Sequence, residues 1–410
     1  MSSALKMKGT GSTLDLEQLR ASIDQVDQEL ISLLKKRADL VFSVGEYKRQ
    51  KNLPIYDPQR ETRIRKKVKD SAEGGPLSPD ELASVFMTLV ERFRFLEGVH
   101  VKRAKAQSLF SKSHLNLSQS QHVVFWGFGL LGASMYLALN EVFPHWHFTV
   151  VDPGIKPGTF LQWREENRFS NIDYANIQQA HPAAIYVLGA PIEVNAEHLR
   201  TFEFPEKALV VDLGSTKKQM MEIFRQRQKK APTSFTYIGG HPLAGKEVSG
   251  FQNGDALLFY NKVFCWTLPS AQSVSDDLKS TCEVLALALG AEPHWMTAAE
   301  HDSVLAWTSH LPQILSSVMA SCLAKKDFSA RPEYFPGVIS NLLRISGSSF
   351  SMWQSILTTN QEPLRTALSE LIQNLSEVNS HLPDKASPLF EESNSFYKEF
   401  KERKNKKEAI

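Results

Sequence analysis

The stretch that decides the fold is His122-Val-Val-Phe-Trp-Gly127-Phe-Gly129-Leu-Leu-Gly132, followed by an apolar run and then by Thr149-Val-Val-Asp152. Its order is that of a buried strand, a glycine turn, a helix and a second strand that ends at an acidic residue. Such glycines let a backbone approach a pyrophosphate at a helix N-terminus, and Asp152 can accept a hydrogen bond from a ribose 2′-hydroxyl. A 2′-phosphate would be repelled by that carboxylate, so we predict a dinucleotide-binding βαβ unit that takes NAD rather than NADP. The predicted cofactor-binding residues are Gly127, Phe128, Gly129, Leu130, Leu131, Gly132 and Asp152.

The composition excludes several classes of protein. A chain of 410 residues predicts two or three domains, and a formal net charge of +2 gives no indication of a nucleic-acid partner. No apolar run is long enough to span a membrane, and the N-terminus has no secretory apolar segment. The three cysteines are odd in number and form no CxxC pair, so we expect neither disulfides nor a zinc site. These features favour a cytoplasmic protein without a metal ion.

The order of patterns along the chain predicts a multidomain protein. Residues 14–100 have the pattern of an all-α unit of three helices, expected over 14–50, 57–69 and 78–105. Residues 122–273 alternate strands and helices, with further strands expected at 184–188, 208–212, 236–238 and 263–268, as in a doubly wound Rossmann domain. Residues 274–400 are expected to form an all-α C-terminal domain for substrate binding and dimerisation, and the polar stretch 106–121 is expected to be a linker.

The first predicted helix has a narrow apolar seam. Its members recur at alternating intervals of three and four residues: Leu16, Leu19, Ile23, Val26, Leu30 and Leu33. A three-helix unit is too thin to bury this seam by itself. The seam therefore predicts packing against the same helix of a second copy, that is, a homodimer.

Basic residues interrupt this pattern at informative positions. Arg37 lies where the seam would next have an apolar side chain, and Lys48, eleven residues later, is only about 20° around the helix from it. Two cations directed at an interior need an anionic partner. Arg20 lies about 25 Å along the helix from Arg37. It can reach the same small ligand only if the helix pairs antiparallel with a second copy.

At these residues the chain resembles a known family. Residues 14–100 are similar to the all-helical chorismate mutases, intertwined dimers of three-helix protomers, through Leu-Arg20, Lys-Arg37, Val-Gly-x-x-Lys48 and Asp57-Pro-x-Arg60-Glu61. The resemblance implies that Arg37, Arg60 and the Arg20 of a second copy bind the two carboxylates of chorismate. It implies that Lys48 donates to the ether oxygen, and that Asp57 and Glu61 contact the substrate hydroxyl and its surroundings.

Glu97 departs from the pattern of that family. Many members have glutamine at this position, where it is the second donor to the ether oxygen. A glutamate donates only when it is protonated, so the resemblance implies a carboxyl group that holds its proton or an activity that favours lower pH. The rearrangement itself needs a held conformer and positive charge beside the breaking C–O bond, and no nucleophile.

The later part of the chain contains four further motifs. They are Val211-Asp212-Leu-Gly-Ser215-Thr-Lys217, Gly239-Gly240-His241-Pro242-Leu-Ala-Gly245 in a rigid loop just past a strand, Ser309-His310-Leu-Pro312, and Leu343-Arg344-Ile-Ser-Gly. Together with the glycine turn they resemble prephenate dehydrogenases from residue 122 to about 380. The resemblance implies that His241 accepts the proton of the substrate hydroxyl while hydride passes to NAD. It also implies that Ser215 orients His241, that Arg344 binds the ring carboxylate lost as CO2, and that His310 lines or gates the pocket.

The sequence also allows two other interpretations. His301-Asp302 could belong to a metal site, but adjacent helical residues diverge by about 100° and no further ligands are visible. The chain as a whole resembles the bifunctional chorismate mutase/prephenate dehydrogenases of tyrosine biosynthesis. The alternative is an arogenate or cyclohexadienyl dehydrogenase whose helical module is non-catalytic and serves dimerisation or tyrosine sensing. Arg37 in an apolar seam favours the catalytic interpretation.

Overall fold

The structure is a computed structural model that describes residues 15–72, 74–112, 121–176, 182–231, 233–268, 275–326, 332–335, 337–384 and 386–408. The chain divides into two compact units. The first extends to Val101 and includes the chain end from Glu402, and the second extends from Lys102 to Lys401. The boundary lies within a helix, and not in the polar stretch where a linker was expected.

The first unit consists of α1 (Leu16–Lys51), α2 (Pro58–Asp70) and the first two thirds of α3 (Pro79–Lys112). The backbone N–H of Arg60 donates to the Asp57 carboxylate over 2.8 Å, so Asp57 caps α2. Ser78 and Glu81 form a reciprocal capping box at the start of α3. The predicted end of this helix near residue 105 is wrong, because α3 continues to Lys112. Residues 113–120 of the expected linker lie outside the described residues.

Most of α1 is exposed in the single chain. Its apolar seam remains uncovered, with 60% of Ile23 and 64% of Leu33 accessible to solvent. The apolar residues that the unit does bury lie mainly on α3, and they include Ala83, Met87, Val90 and Phe93. The first unit therefore presents a continuous apolar surface along α1.

The second unit is built on an eight-stranded sheet. The strands are β1 (His122–Trp126), β2 (His147–Val151), β3 (Ile172–Tyr174), β4 (Ile185–Leu188), β5 (Leu209–Asp212), β6 (Thr236–Pro242), β7 (Val263–Thr267) and β8 (Glu292–Met296). The helices between them are α4 (Leu130–Val142), α5 (Pro157–Glu166), α6 (Ile192–Thr201), α7 (Lys218–Lys230) and α8 (Asp276–Ala288). The strand order is β3-β2-β1-β4-β5-β6-β7-β8, and all neighbours are parallel except β6 and β7. This is the predicted doubly wound arrangement.

The two faces of this sheet bury separate apolar clusters. Val123 and Phe125 of β1 belong to one cluster, whereas Val124 and Trp126 belong to the other. Side chains alternate between the two faces of a strand, so near-continuous apolar strands are those of a sheet covered on both sides. The core thus fixes the end of β1, which the glycine turn follows, and the end of β6, where His241 lies.

Two details of the sheet correct the sequence prediction. His241 lies within β6 rather than in a loop beyond it, because the antiparallel β7 extends the ladder and pairs His241 with Cys265. β8 was not predicted, and it pairs in parallel with β7. The predicted start of the helical domain at residue 274 is therefore too early, because α8 is followed by β8, which is the last strand of the sheet.

The remaining chain is helical, as expected. It comprises α9 (Ala298–Leu305), a five-residue π-helical segment (Ala306–His310), α10 (Leu311–Ala324), α11 (Gly337–Ser346), α12 (Phe350–Thr359), α13 (Gln361–Ser380) and α14 (Ala386–Glu408). A small apolar cluster formed by Leu311, Leu364 and Ala367 joins α10 to α13. The π-helical segment changes the helical register directly before α10, a feature that is frequent at functional sites.

Candidate active sites

A cavity of about 230 Å³ in the first unit brings six of the seven predicted mutase residues together. Its polar lining consists of Arg37, Lys48, Asp57, Arg60, Glu61, Arg94 and Glu97, and apolar residues of all three helices complete it. Arg20 is the predicted residue that does not line the cavity. It is exposed on α1 and forms an ion pair with Glu17, one turn away.

Arg37 is the residue of this cavity that most needs a ligand. Its guanidinium lies over the ring of Phe93, 4.2 Å from the ring centroid. The Nη1 atom is buried, and no hydrogen-bond partner for it is found among the described residues. Burial lowers the pKa of Arg37, and the positive charge of Arg60 lowers it further. A buried guanidinium beside a second cation is the environment that an anionic ligand relieves.

Lys48 and Glu97 face each other across the same cavity. Nζ of Lys48 lies 2.8 Å from Oε1 of Glu97, whose side chain is only 8% exposed, and it donates to the carbonyl oxygen of Ile55 over 2.6 Å. Without ligand, the carboxylate of Glu97 therefore acts as the partner of Lys48. A ligand oxygen between the two groups would need to replace this ion pair.

Arg94 was not among the predicted residues. Its guanidinium forms an ion pair with Glu61 and lies 4.6 Å from the ring centroid of Tyr56. Arg94 is on α3, three residues before Glu97, so the two side chains share a helix face. That spacing was the signal in the sequence from which Arg94 could have been predicted.

The glycine turn of the second unit has the geometry of a dinucleotide site. Gly127 has a φ of +85°, and a Cβ atom there would lie 2.2 Å from the backbone nitrogen of Ala190, so this position requires glycine. Gly129 caps α4 without a side-chain hydrogen bond, which leaves helix N–H groups for a pyrophosphate. Space is open on its Cβ side. These residues fit NAD.

Asp152 follows β2 directly, as predicted, and its carboxylate is held in place by the backbone. Oδ2 accepts from the N–H of Phe128 over 2.8 Å, and Oδ1 accepts from the N–H of Gly154 over 2.9 Å. Each carboxylate oxygen can accept a further hydrogen bond. The side chain thus links the glycine turn to the end of β2 and retains capacity for a ribose hydroxyl.

His241 is hydrogen-bonded to His301 and is linked through it to Asp302. Nδ1 of His241 lies 2.9 Å from Nε2 of His301, and Nδ1 of His301 lies 2.8 Å from Oδ1 of Asp302. All three side chains are buried. Burial lowers the pKa of His241 well below its ordinary value, and the charges of His301 and Lys217 act in the same direction. His241 is therefore neutral at physiological pH, as a general base must be.

A buried ion pair contacts the backbone of Gly240, the residue before His241. Lys217 is completely buried, and its Nζ forms an ion pair with Asp212 and donates to the carbonyl oxygen of Gly240 over 2.7 Å. Tyr237 donates to the same carboxylate over 2.8 Å. The Asp-x-x-Ser-x-Lys motif at the end of β5 thus stabilises β6, the strand that contains His241.

Three other predicted dehydrogenase residues have different surroundings. His310 is 1% exposed and its Nδ1 accepts from Asn360 over 2.9 Å. It therefore lies in the interior and not at the open entrance of a substrate pocket. Burial lowers the pKa of His310 to about 4. Arg344 is exposed and forms an ion pair with Glu247, which follows the motif of His241. Among the hydrogen bonds of the described residues, His241 is oriented by His301 and not by Ser215.

In the part of the chain that the structure describes, no group of three or more histidine, cysteine, aspartate or glutamate side chains could hold a metal ion. No helix there has both the length and the apolar character that crossing a membrane would need.

The fold and these sites define an NAD-dependent dehydrogenase with an additional helical ligand-binding domain. Comparison with family models agrees with this class. Residues 19–98 match the type II chorismate mutases, residues 164–291 match the nucleotide-binding domain of prephenate dehydrogenase, and residues 297–398 match its dimerization domain. The chain thus combines a chorismate mutase domain with both domains of a prephenate dehydrogenase, the combination of a bifunctional enzyme of tyrosine biosynthesis. The second match begins after the glycine turn, so the assignment of that turn depends on its geometry.

Individual relatives extend this picture. The chain is 28% identical to the prephenate dehydrogenase of Lactococcus lactis over 261 residues, which are 62% of this chain and 70% of that protein. It is 26% identical to the T-protein of Haemophilus influenzae over 238 residues, 57% of this chain and 54% of that protein. The crystal structure of Aquifex aeolicus prephenate dehydrogenase with hydroxyphenyl propionate and NAD+ superposes with a TM-score of 0.57 at 22% identity. It covers 70% of this chain and 98% of that one.

Proposed function

We propose that the cavity of the first unit is the chorismate mutase site and that the end of the sheet around His241 is the prephenate dehydrogenase site. The observation that supports the mutase assignment most directly concerns Arg37, which lines a cavity with other cations. Its buried Nη1 atom has no hydrogen-bond partner among the described residues. A substrate with two carboxylates is the ligand that such a cavity would stabilise.

In the mutase site, Arg37 and Arg60 bind the carboxylates of chorismate and fix the conformer in which the two reacting ends approach. Lys48 donates to the ether oxygen as negative charge develops there, and Glu97 does so when it is protonated. Asp57 and Glu61 contact the hydroxyl. Holding the reactive conformer and stabilising the developing charge are sufficient for a pericyclic rearrangement.

We also propose that the enzyme is a homodimer in which Arg20 of a second copy completes the mutase site. The exposed apolar seam of α1 supports this proposal, because pairing with an antiparallel copy would cover Ile23 and Leu33. The dimerization-domain match at residues 297–398 supports a second contact between copies. Three free cysteines support a reducing compartment such as the cytoplasm.

In the dehydrogenase site, NAD bound along Gly127–Gly132 and Asp152 supplies the hydride acceptor. His241 accepts the proton of the ring hydroxyl at its Nε2 atom, Ser215 positions that hydroxyl, and Arg344 exchanges Glu247 for the ring carboxylate that leaves as CO2. His310 supports the pocket wall from the interior. His241 can perform this step because burial keeps it neutral.

One coupled assay tests both assignments. Purified protein is given chorismate with NAD, and chorismate loss and NADH formation are followed separately; prephenate and arogenate are then supplied alone. We expect both signals, and faster NADH formation from prephenate. NADH formation without chorismate loss would reduce the first unit to a dimerising or tyrosine-sensing module. Preference for arogenate would identify the alternative dehydrogenase.

A matched pair of variants links the mutase activity to its site. Arg37→Leu should abolish chorismate loss and leave NADH formation from prephenate intact. Arg63→Gln, at an exposed position on α2, should leave both unchanged. Tolerance of Arg37→Leu by the mutase would contradict the proposal.

A further inference from the structure

The hydrogen bonds behind His241 form a single chain. It passes from Nδ1 of His241 to Nε2 of His301, and from Nδ1 of His301 to Oδ1 of Asp302. It ends at the N-terminus of α7, where the N–H groups of Lys217 and Lys218 donate to the two carboxylate oxygens of Asp302 over 2.8 and 2.9 Å. Four hydrogen bonds thus connect the proposed base to a helix terminus through buried side chains.

The chemistry of these groups determines where the protons lie. Asp302 accepts two backbone N–H bonds at the positive end of α7, which stabilises an ionised, acceptor-only carboxylate. Nδ1 of His301 must therefore be the N–H that donates to Asp302. In neutral His301 the Nε2 atom then has a lone pair, so His241 must donate to it from Nδ1. That leaves the lone pair of His241 on Nε2, the atom needed to accept a substrate proton.

We propose that His301 and Asp302 are a proton relay for His241: they hold it in the basic tautomer and take over its positive charge during the reaction. This inference rests on the proposed role of His241 as base. When the hydroxyl O–H bond breaks, an N–H bond forms at Nε2 of His241. The N–H bond at Nδ1 of His241 then breaks and one forms at Nε2 of His301. Bound NAD would take the electron pair of the C–H bond as hydride, and the C–C bond to the ring carboxylate breaks as CO2 leaves. The proton returns along the same path to the oxygen when the phenol forms.

The surroundings explain why the charge is better placed on His301. His241 is buried, and the cation of Lys217 is near enough to lower its pKa, so an imidazolium is penalised there. His301 adjoins the carboxylate of Asp302, which offsets the same charge. The other titratable groups around this chain are Asp212, Tyr237, Cys265 and His310. The relay therefore moves the positive charge from His241, where it is unfavourable, to His301, where the carboxylate of Asp302 compensates it.

The variant His301→Gln separates the relay from a structural role. A glutamine amide oxygen can accept from Nδ1–H of His241, so the tautomer is retained, but it cannot take up the proton. We expect kcat for prephenate oxidation to fall about 100-fold, with KM changed less than about 3-fold. The proton inventory is the dependence of kcat on the deuterium fraction of the solvent. It should be curved for the native enzyme, in which two protons move in the same step, and linear for the variant.

Controls keep the outcomes distinguishable. His294→Gln, at an exposed position on β8, should behave as the native enzyme. Chorismate mutase activity in each preparation reports folding of the chain, and NADH fluorescence reports cofactor binding. A His301→Gln variant with the native kcat and a curved inventory overturns the relay, even when His241→Asn is inactive. Full activity of His241→Asn would instead overturn the proposed function itself.

Asp302→Asn provides a second test of the same relay. The neutral amide keeps the size of the side chain but removes the charge that compensates an imidazolium at His301. We expect a lower kcat and a linear inventory, whereas Asp277→Asn, at an exposed position in the first turn of α8, should have no effect. A curved inventory in Asp302→Asn would contradict the relay.

Discussion

Nζ of Lys217 donates to the carbonyl oxygen of Gly240 over 2.7 Å, so a completely buried cation supports the residue directly before His241. The same ammonium group forms an ion pair with Asp212, and the N–H of Gly240 donates to that carboxylate over 3.1 Å. The lysine therefore has two roles. It connects β5, β6 and the start of α7, and its charge contributes to keeping His241 unprotonated.

Replacing Lys217 with methionine tests the first of these roles. The change leaves the Asp212 carboxylate buried without its cation, which should lower the free energy of unfolding of the second unit by about 3–5 kcal/mol. The double variant Asp212→Asn/Lys217→Met removes both charges and should recover a large part of this loss. Urea unfolding followed by tryptophan fluorescence measures these differences. Equal losses in the single and double variants would show that the ion pair is not the cause.

The glycine turn gives a second prediction, with a control in the same domain. Gly127→Ala places a Cβ atom 2.2 Å from the nitrogen of Ala190 at a φ of +85°, so the turn must distort. We expect NAD affinity to fall at least about 100-fold, because the N-terminus of α4 moves away from the pyrophosphate. Gly158→Ala, in α5 with nothing within 4 Å of its Cβ position, should leave NAD affinity unchanged. Titration of NADH fluorescence measures both.

Glu97 gives a prediction for the rate of the mutase reaction. Its side chain forms an ion pair with Lys48, and a carboxylate in such a pair can only accept hydrogen bonds. A glutamine amide can donate to the ether oxygen, so Glu97→Gln should be about 100-fold faster than the native mutase at neutral pH, the usual effect of one such donor. The rate of chorismate loss measures the difference. A slower Glu97→Gln variant would contradict the proposed contact.

The features that sequence patterns predicted are those encoded within one element or one turn. The glycine turn, Asp152 after β2, and the shared face of Arg37 and Lys48 all depend on local periodicity and strand order. The structure places Arg37 and Lys48 on one cavity as the helical spacing required. Such features follow from backbone geometry alone, which the order of residues determines over short distances.

The features that were missed depend on contacts between distant segments. His301 is sixty residues from His241, and only the folding of the chain brings Nδ1 of His241 to 2.9 Å from Nε2 of His301. The local sequence around His301-Asp302 shows no metal-ligand cluster, and nothing in it relates the pair to another histidine. His241 itself was placed in a loop, since the antiparallel β7 that makes it part of a strand is not visible in its local sequence.

His310 gives a prediction for stability at acidic pH. Burial lowers its pKa from 6.5 to about 4, so below pH 6.5 the unfolded chain binds a proton that the folded chain does not. The free energy of unfolding must therefore fall as the pH decreases from 6.5 towards 4, by about 3 kcal/mol from this residue. In His310→Gln the amide oxygen can still accept from Asn360. The part of the decrease in the free energy of unfolding that comes from protonation of His310 should then disappear.

The two proteins should consequently converge in stability on acidification. The variant is expected to be somewhat less stable at neutral pH, because a ring that packs against Trp353 is lost. Between pH 6.5 and 4 its stability should decline about 3 kcal/mol less than that of the native enzyme, whereas the exposed-site control His294→Gln should follow the native curve. Urea unfolding at a series of pH values measures the slopes. Parallel curves for His310→Gln and the native enzyme would mean that His310 takes up its proton equally in both states, and that its burial does not hold it neutral.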